Sequence, residues 1–266
     1  MTRIQKAFSK DKAFIGFLTG GDPSIEKTAE FILEMERAGA DIIEIGIPFS
    51  DPVAEGEVIQ NASIRALNAG ATVPKMFDLA KSVREKSQIP LVFMTYLNPV
   101  YHYGQGRTVR YDEFFKKCKE AEIDGIIIPD LPFEESGEVR EYAERHGIDL
   151  ILLVAPTSEE RIGKIAKASS GFVYVVSSMG TTGVREEIKT NIEPIIKAVK
   201  TASDIPAAVG FGVSTPEQAA RIAKFADGVI VGSAIVRIIA EHGDNAGGYV
   251  YEFVKSVKEA VAGTGE

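Results

Sequence analysis

The 266-residue sequence has little of what marks several classes of protein. Its only cysteine, Cys118, cannot form an intrachain disulfide, and its three histidines, His102, His146 and His242, lack the spacing of metal ligands. No run stays apolar for the roughly 18 residues that a membrane helix needs, and the first residues lack the apolar core of a signal peptide. These absences favour a cytoplasmic protein without a metal site.

Positive charge is also scarce. Thirty lysines and arginines stand against 38 aspartates and glutamates, which gives a formal net charge of −8. This balance opposes nonspecific binding to nucleic acid or to an anionic membrane. A phosphorylated substrate must therefore be bound by local groups. A hydrophobic content of 45% is ordinary for a globular enzyme of this length.

What the sequence does have is a repeated unit in which a helix end runs through an aspartate into an apolar strand. Further apolar runs, with amphipathic stretches between them, bring the number of predicted strands to eight. Eight strand–helix alternations in about 250 residues favour a TIM barrel over an open doubly wound sheet. We predict a single-domain (β/α)8 barrel spanning residues 1–266, with an extra helix at each end. The four repeats are Ala40–Ile43, Ile123–Ile127, Ile148–Ile151 and Ala226–Ile230.

One predicted strand carries an ionisable residue among β-branched ones. Glu44 lies among Ile42, Ile43, Ile45 and Ile47, and a second acidic cluster that includes Glu55 and Glu57 follows. A carboxyl buried without a partner titrates with a raised pKa, as a proton donor near neutral pH requires. The alternative is a structural glutamate that pairs with an arginine or lysine of a neighbouring strand. Both interpretations remain open at this point.

Two further aspartates follow predicted strands. Asp22 lies in Thr19–Pro23, and Asp130 lies in Ile128–Pro132. Active sites of TIM barrels form where the strands end, but aspartate beside proline or glycine is also common in turns. We favour the structural interpretation for both residues.

Glycines after the seventh and eighth strands predict a phosphate site. Gly210-Phe211-Gly212-Val213 precedes a helix that Thr215 caps, and Gly232-Ser233 leads into a short apolar helix. The alternative is a pair of plain turns. Thr215 occupies the third glycine position of the dinucleotide fingerprint, and no ribose-binding acid follows, so NAD is not expected.

The segment Ser177–Arg185 follows the sixth predicted strand and consists mainly of small and polar residues. A connection of this length in a compact barrel usually forms a lid over the active site. A simple disordered connector is the alternative.

Taken together, these motifs resemble the tryptophan synthase α subunit family over essentially the whole chain. The resemblance implies cleavage of indole-3-glycerol phosphate to indole and glyceraldehyde 3-phosphate, with no metal or cofactor in this chain. It also implies a β subunit partner that carries pyridoxal phosphate, in an α2β2 complex. The motifs are Phe17–Pro23, Glu44–Pro52, Ile59–Asn61, Pro129–Pro132, Gly210–Gly212 and Gly232–Val236.

The resemblance also assigns roles to individual residues. Glu44 is the acid that protonates C3 of the indole, and Glu55 holds the indole N–H, although the family usually has aspartate there. Tyr174 either assists proton transfer or fills the barrel. The indole pocket is expected to contain Phe17, Ile64, Tyr96, Pro129 and Leu153. The phosphate is expected to bind Gly183, Gly212, Gly232 and Ser233.

Other functions remain as alternatives. A free-standing indole-releasing lyase needs no β subunit, and a weakly active regulatory partner would follow if Glu55 misplaces its carboxylate. A different phosphate-binding barrel, such as a sugar-phosphate isomerase, does not explain the match from Glu44 to Asn61. The segment Gly104–Arg110 is longer than in many relatives and fits either a solvated loop or a partner contact.

Overall fold

A parallel β-sheet forms the centre of the protein. The computed structural model describes residues 1–104, 111–176, 192–210 and 212–264. Nine strands are paired in the order β5-β4-β3-β2-β1-β9-β8-β7-β6, and all the pairings are parallel. The strands are β1 (Ala13–Thr19), β2 (Ile42–Gly46), β3 (Leu91–Met94), β4 (Gly125–Ile127), β5 (Asp149–Ile151), β6 (Leu153–Val154), β7 (Val173–Val176), β8 (Ala207–Gly210) and β9 (Gly228–Val231).

The two terminal strands of this order are halves of one chain segment. Only Leu152 separates β5, which pairs with β4, from β6, which pairs with β7. The strand is interrupted there because the Leu152 amide donates to the Ser169 hydroxyl at 3.0 Å and not to a neighbouring strand. The segment thus connects both ends of the sheet and closes the predicted barrel. The fifth predicted strand is confirmed in position but consists of two short pieces.

Helices surround the sheet. They are α1 (Arg3–Ala7), α2 (Ile25–Arg37), α3 (Glu57–Asn68), α4 (Val73–Arg84), α5 (Leu97–Tyr101), α6 (Asp112–Glu120), α7 (Gly137–His146), α8 (Glu159–Ala168), α9 (Glu193–Ala202), α10 (Pro216–Ala223), α11 (Ser233–His242) and α12 (Gly247–Ala262). Phe133–Glu135 and Gly243–Asn245 form 3-10 turns. The first of these turns precedes α7. The helix α12 packs against α2 and α10, which gives the predicted extra helix at the C-terminal end.

Alternation along the strands produces two apolar layers. In β1, Phe14 and Leu18 belong to the layer between sheet and helices, whereas Ile15 and Phe17 belong to the barrel interior. Ile4 of α1 also belongs to the interior cluster and is fully buried. It packs near β4, because a Cβ at Gly125 would lie 3.2 Å from its Cδ1. Side chains therefore fill the barrel interior near the amino ends of the strands.

Cys118 is buried with Phe114 and Ala121 on one face of the α6 region, so its thiol belongs to the core. In addition, no helix within the described ranges is long and apolar enough to cross a membrane.

Candidate active site

Glu44 lies in the middle of β2, whose five residues are all buried. The strand pairing aligns it with Phe17 of β1 and Val92 of β3, two residues of the barrel interior. Its side chain is 1% exposed, and its Oε2 atom is buried with no hydrogen-bond partner among the described residues. The barrel thus holds a carboxyl group that is nearly enclosed.

Burial raises the pKa of Glu44 to about 8, and the negative charge of Glu55 adds to this rise. The carboxyl is therefore mostly protonated at pH 7 and can donate a proton. Within residues 1–104, 111–176, 192–210 and 212–264, no ion pair involves Glu44. The alternative of a structural ion pair with a neighbouring strand finds no support there.

Glu55 lies between β2 and α3, two residues before the helix begins, and its side chain is buried. Its amide donates to the Pro52 carbonyl at 3.0 Å, and its carbonyl accepts from Gln60 Nε2 at 2.7 Å. Both ends of its peptide unit are therefore fixed by local hydrogen bonds. Its carboxyl reaches the same cavity as Glu44.

Tyr174 points into the barrel from β7, opposite Leu153 of β6 and Ala208 of β8. Burial raises the pKa of its phenol well above the usual range, and the charges of Glu44 and Glu55 raise it further. The side chain is therefore a neutral phenol at ordinary pH. A Cβ at Gly210 would lie 2.6 Å from Cζ of Tyr174, so this approach of β8 requires glycine.

A cavity at the carboxyl ends of the strands brings these groups together. It is lined by Phe17, Glu44, Glu55, Ile59, Met94, Tyr174, Gly212, Val213, Ile230, Gly232 and Ser233. The lining thus includes the two glutamates and the glycines that follow β8 and β9. Seven residues expected from the sequence are in this lining: Phe17, Glu44, Glu55, Tyr174, Gly212, Gly232 and Ser233.

The other expected pocket residues are not among the described lining residues of this cavity. Tyr96, Pro129 and Leu153 continue the inward alternation of their strands but are not part of this lining. The expectation for Ile64 is corrected, because its side chain is 55% exposed and Ile59 reaches the cavity from the first turn of α3 instead. A step of five residues along a helix turns the side chain by about 140°, away from the cavity.

The predicted lid, one expected phosphate ligand and most of the longer segment lie outside the described residues. They are Ser177–Arg185, Gly183 and residues 105–110.

Four lining residues were not expected from the sequence: Ile59, Met94, Val213 and Ile230. A signal for two of them was present, because Met94 and Ile230 lie on the inward register of β3 and β9. No strand alternation predicts Ile59 or Val213, which lie beyond the strands.

The rim near Gly212 is suited to an anion. Thr215 caps α10, with its side chain accepting from the Gln218 amide, and α11 begins at Ser233 beside Gly232. The N-terminus of α11 and the backbone near Gly212 thus border the same cavity. Among the described lining residues there is no lysine or arginine, and the groups there that suit an anion are backbone amides and the N-terminus of α11.

The two other aspartates have structural partners. Asp22 forms two bonds with Arg65 at 2.9 and 2.7 Å, and Asp130 Oδ1 accepts from the Leu97 amide at 2.8 Å. Across the part of the chain that the structure describes, no group of His, Cys, Asp and Glu is arranged to hold a metal ion.

A closed parallel barrel with an acidic pair and an anion-binding rim at its carboxyl end belongs to the class of TIM-barrel enzymes that act on phosphorylated substrates by acid–base chemistry. Comparisons with known proteins narrow this class. The family profile described as "Tryptophan synthase alpha chain" matches residues 4–263. A tryptophan synthase α chain of Lacticaseibacillus casei is 44% identical over 98% of this chain and 96% of its own length.

Solved structures agree. The α chain from Legionella pneumophila subsp. pneumophila superposes with a TM-score of 0.87 at 34% identity, covering 100% of this chain and 99% of its own. A chain from the tryptophan synthase α2β2 complex of Pyrococcus furiosus gives a TM-score of 0.84 at 37% identity, covering 94% and 99%.

The chain belongs to the tryptophan synthase α chain family. This family cleaves indole-3-glycerol phosphate in tryptophan biosynthesis, and its α chains carry no cofactor.

Proposed function

We propose that Glu44 is the general acid of the cleavage and that Glu55 binds the indole N–H. The observation that carries this proposal is the enclosed Oε2 of Glu44, which has no hydrogen-bond partner among the described residues and shares one cavity with Glu55. A protonated Glu44 can transfer its proton to C3 of the indole, which makes the indole a leaving group. A carboxylate at Glu55 stabilises the positive charge that develops at the ring nitrogen.

The bond between indole C3 and the first side-chain carbon then breaks. The hydroxyl on that carbon gives up its proton, which returns to the Glu44 carboxylate, and the carbon becomes the aldehyde of glyceraldehyde 3-phosphate. C3 keeps the proton that Glu44 donated. Because burial keeps Tyr174 a neutral phenol, it serves this step by passing a proton on, not as a phenolate base.

Substrate placement follows from the lining residues of the cavity. We propose that the indole ring packs against Phe17 and Ile59, and that the phosphate binds at Gly212, Gly232 and Ser233. This arrangement places the scissile bond between the carboxyls and the anion rim. The expected contributions of Tyr96, Pro129, Leu153 and Gly183 remain proposals of the same kind.

The test compares three glutamate variants by the rate of indole release. Glu44→Gln and Glu55→Gln should each lose activity by on the order of a hundredfold or more, because each loses a group that acts in the transition state. Glu57→Gln, at an exposed position only two residues after Glu55, is the matched control and should keep the normal rate. An unchanged rate in Glu55→Gln would refute its role, and full activity in Glu44→Gln would refute the whole scheme.

We propose further that the chain works with a β subunit that carries pyridoxal phosphate, as its family and the α2β2 complex of Pyrococcus furiosus suggest. A cytoplasmic location is proposed on the same family basis, and cell fractionation would test it. The buried position of Glu55 on the cavity wall supports an active lyase over a weakly active regulatory partner.

A further inference from the structure

The loop that carries Glu55 has little secondary structure of its own. Residues 47–56 run from the end of β2 to the cap of α3 without helix or strand, and the side chain of Val53 within it is 75% exposed. A loop without a ladder of backbone bonds needs other contacts to keep one conformation. The position of the Glu55 carboxyl therefore depends on what this loop touches.

Tyr96 touches the loop at two points. Its hydroxyl accepts a hydrogen bond from the Ala54 amide at 2.9 Å, and its ring packs against Phe49 with centroids 5.4 Å apart. The residue is 5% exposed. The side chain of Tyr96 thus contacts the loop near its start, at Phe49, and near its end, at Ala54.

The surroundings of the Tyr96 hydroxyl place it close to Glu55. Burial raises the pKa of this phenol well above its usual range, the charge of Glu55 raises it further, and the amides of Ala54 and Glu55 oppose the rise. The hydroxyl is bonded to the Ala54 amide, one residue before Glu55. It remains protonated at any pH at which the enzyme is assayed.

Tyr96 is itself fixed by its neighbours. It caps α5, and the next amide, of Leu97, donates to Asp130 Oδ1 at 2.8 Å. On its other side the Thr95 amide donates to the Ile127 carbonyl of β4 at 3.0 Å. The backbone on both sides of Tyr96 is therefore held by β4 and by Asp130, which lie outside the loop that its side chain contacts.

We propose that the hydroxyl of Tyr96 is a positioning residue for Glu55, holding the loop so that the carboxyl stays at the indole N–H. This inference rests on the proposed role of Glu55. It assigns to Tyr96 a function separate from the apolar pocket wall expected from the sequence, because it concerns the hydroxyl and not the ring. Displacement of a catalytic group by about 1 Å can cost on the order of a hundredfold in rate.

Tyr96→Phe removes the hydroxyl and keeps the ring. We expect kcat for indole release to fall by about 10- to 100-fold while KM changes by less than about threefold, because substrate binding keeps its contacts. Tyr103→Phe is the matched control, since Tyr103 packs its ring against Phe77 and Phe114 away from this loop. It should leave both constants unchanged, and thermal unfolding of both variants should confirm that they fold.

A double-variant experiment separates positioning from a merely structural effect. In a Glu55→Gln background, measured by single turnover with enzyme in excess, Tyr96→Phe should cost less than about twofold more, because the group that it positions is already lost. An equal loss in both backgrounds, or an unchanged kcat in Tyr96→Phe alone, would overturn the inference. Full activity of Glu55→Gln itself would instead refute the proposed role of Glu55, so the two failures are distinguishable.

Discussion

Glu44 links the chemistry of this protein to its stability, because the burial that keeps its carboxyl protonated also penalises the folded state once the proton is lost. The pKa of the group is about 8 in the folded chain, against an ordinary value of 4.5. Between these values the folded state binds more protons than the unfolded state does. The free energy of unfolding must therefore fall as the pH rises through this range.

This linkage gives a prediction that needs no activity assay. Relative to Glu44→Gln, the normal protein should lose stability by up to about 1.4 kcal/mol per pH unit between about pH 5 and 8, and no further above that range. Urea unfolding of both proteins at several pH values measures the difference. Identical pH dependence in the two proteins would show that Glu44 is not held protonated by the fold.

The position of Glu55 depends on how its loop is held. Its peptide unit is bonded to Pro52 and Gln60, and the preceding amide is bonded to Tyr96. The bonds to Pro52 and Gln60 are local, but the sequence does not show the bond to Tyr96, which lies 42 positions from Ala54.

Among the secondary-structure elements, α3 determines where Glu55 enters the site. Its second half is joined to the loop after β1 by Arg65, which is bonded through two nitrogens to the buried Asp22. A Cβ at Gly21 in that loop would lie 2.7 Å from Cβ of Ala71, just beyond α3. The loop and the helix are thus packed too closely to move independently.

The Asp22–Arg65 pair should stabilise the protein unequally through its two members. Asp22 is 2% exposed and the Arg65 side chain 38%, so Arg65→Met leaves a buried carboxylate unpaired, whereas Asp22→Asn leaves an arginine that still reaches water. We expect a loss of about 2–4 kcal/mol for the first variant and about half of that for the second. Equilibrium unfolding in urea measures both losses.

The exposed Arg221 provides the control for this experiment, and Arg221→Met should change stability by less than about 0.5 kcal/mol. A larger loss in Asp22→Asn than in Arg65→Met would contradict the account of the buried carboxylate.

The strands and helices show which features a sequence can predict. Apolar runs that follow an aspartate located strands, because such a run depends only on neighbours in the chain. The break at Leu152 depends on the hydroxyl of Ser169, 17 residues away, and no local pattern reveals it. Ile64 and Ile59 are both apolar residues of α3, and only the packed helix shows which of them faces the cavity.

The complete barrel explains how an acidic protein can bind a phosphorylated substrate. The net charge is −8, and no lysine or arginine is in the described lining of the cavity. In the proposed scheme, the phosphate binds to backbone amides and to the N-terminus of α11, which border the same cavity as the two carboxyls. The glycines that signal this rim were readable from the sequence, because their place after strands is a local feature. Glu44 and these glycines line one cavity only because the barrel closes, and no local pattern shows this.

The most direct test of the account is the rate of indole release from indole-3-glycerol phosphate by the purified chain, measured with and without a β subunit from a matching source. We predict measurable release by the chain alone and strong stimulation by the β subunit, with both rates lost in Glu44→Gln. Fast release at the same rate with and without the β subunit would indicate a free-standing lyase. No release under either condition would contradict the central claim that this cavity is the catalytic site.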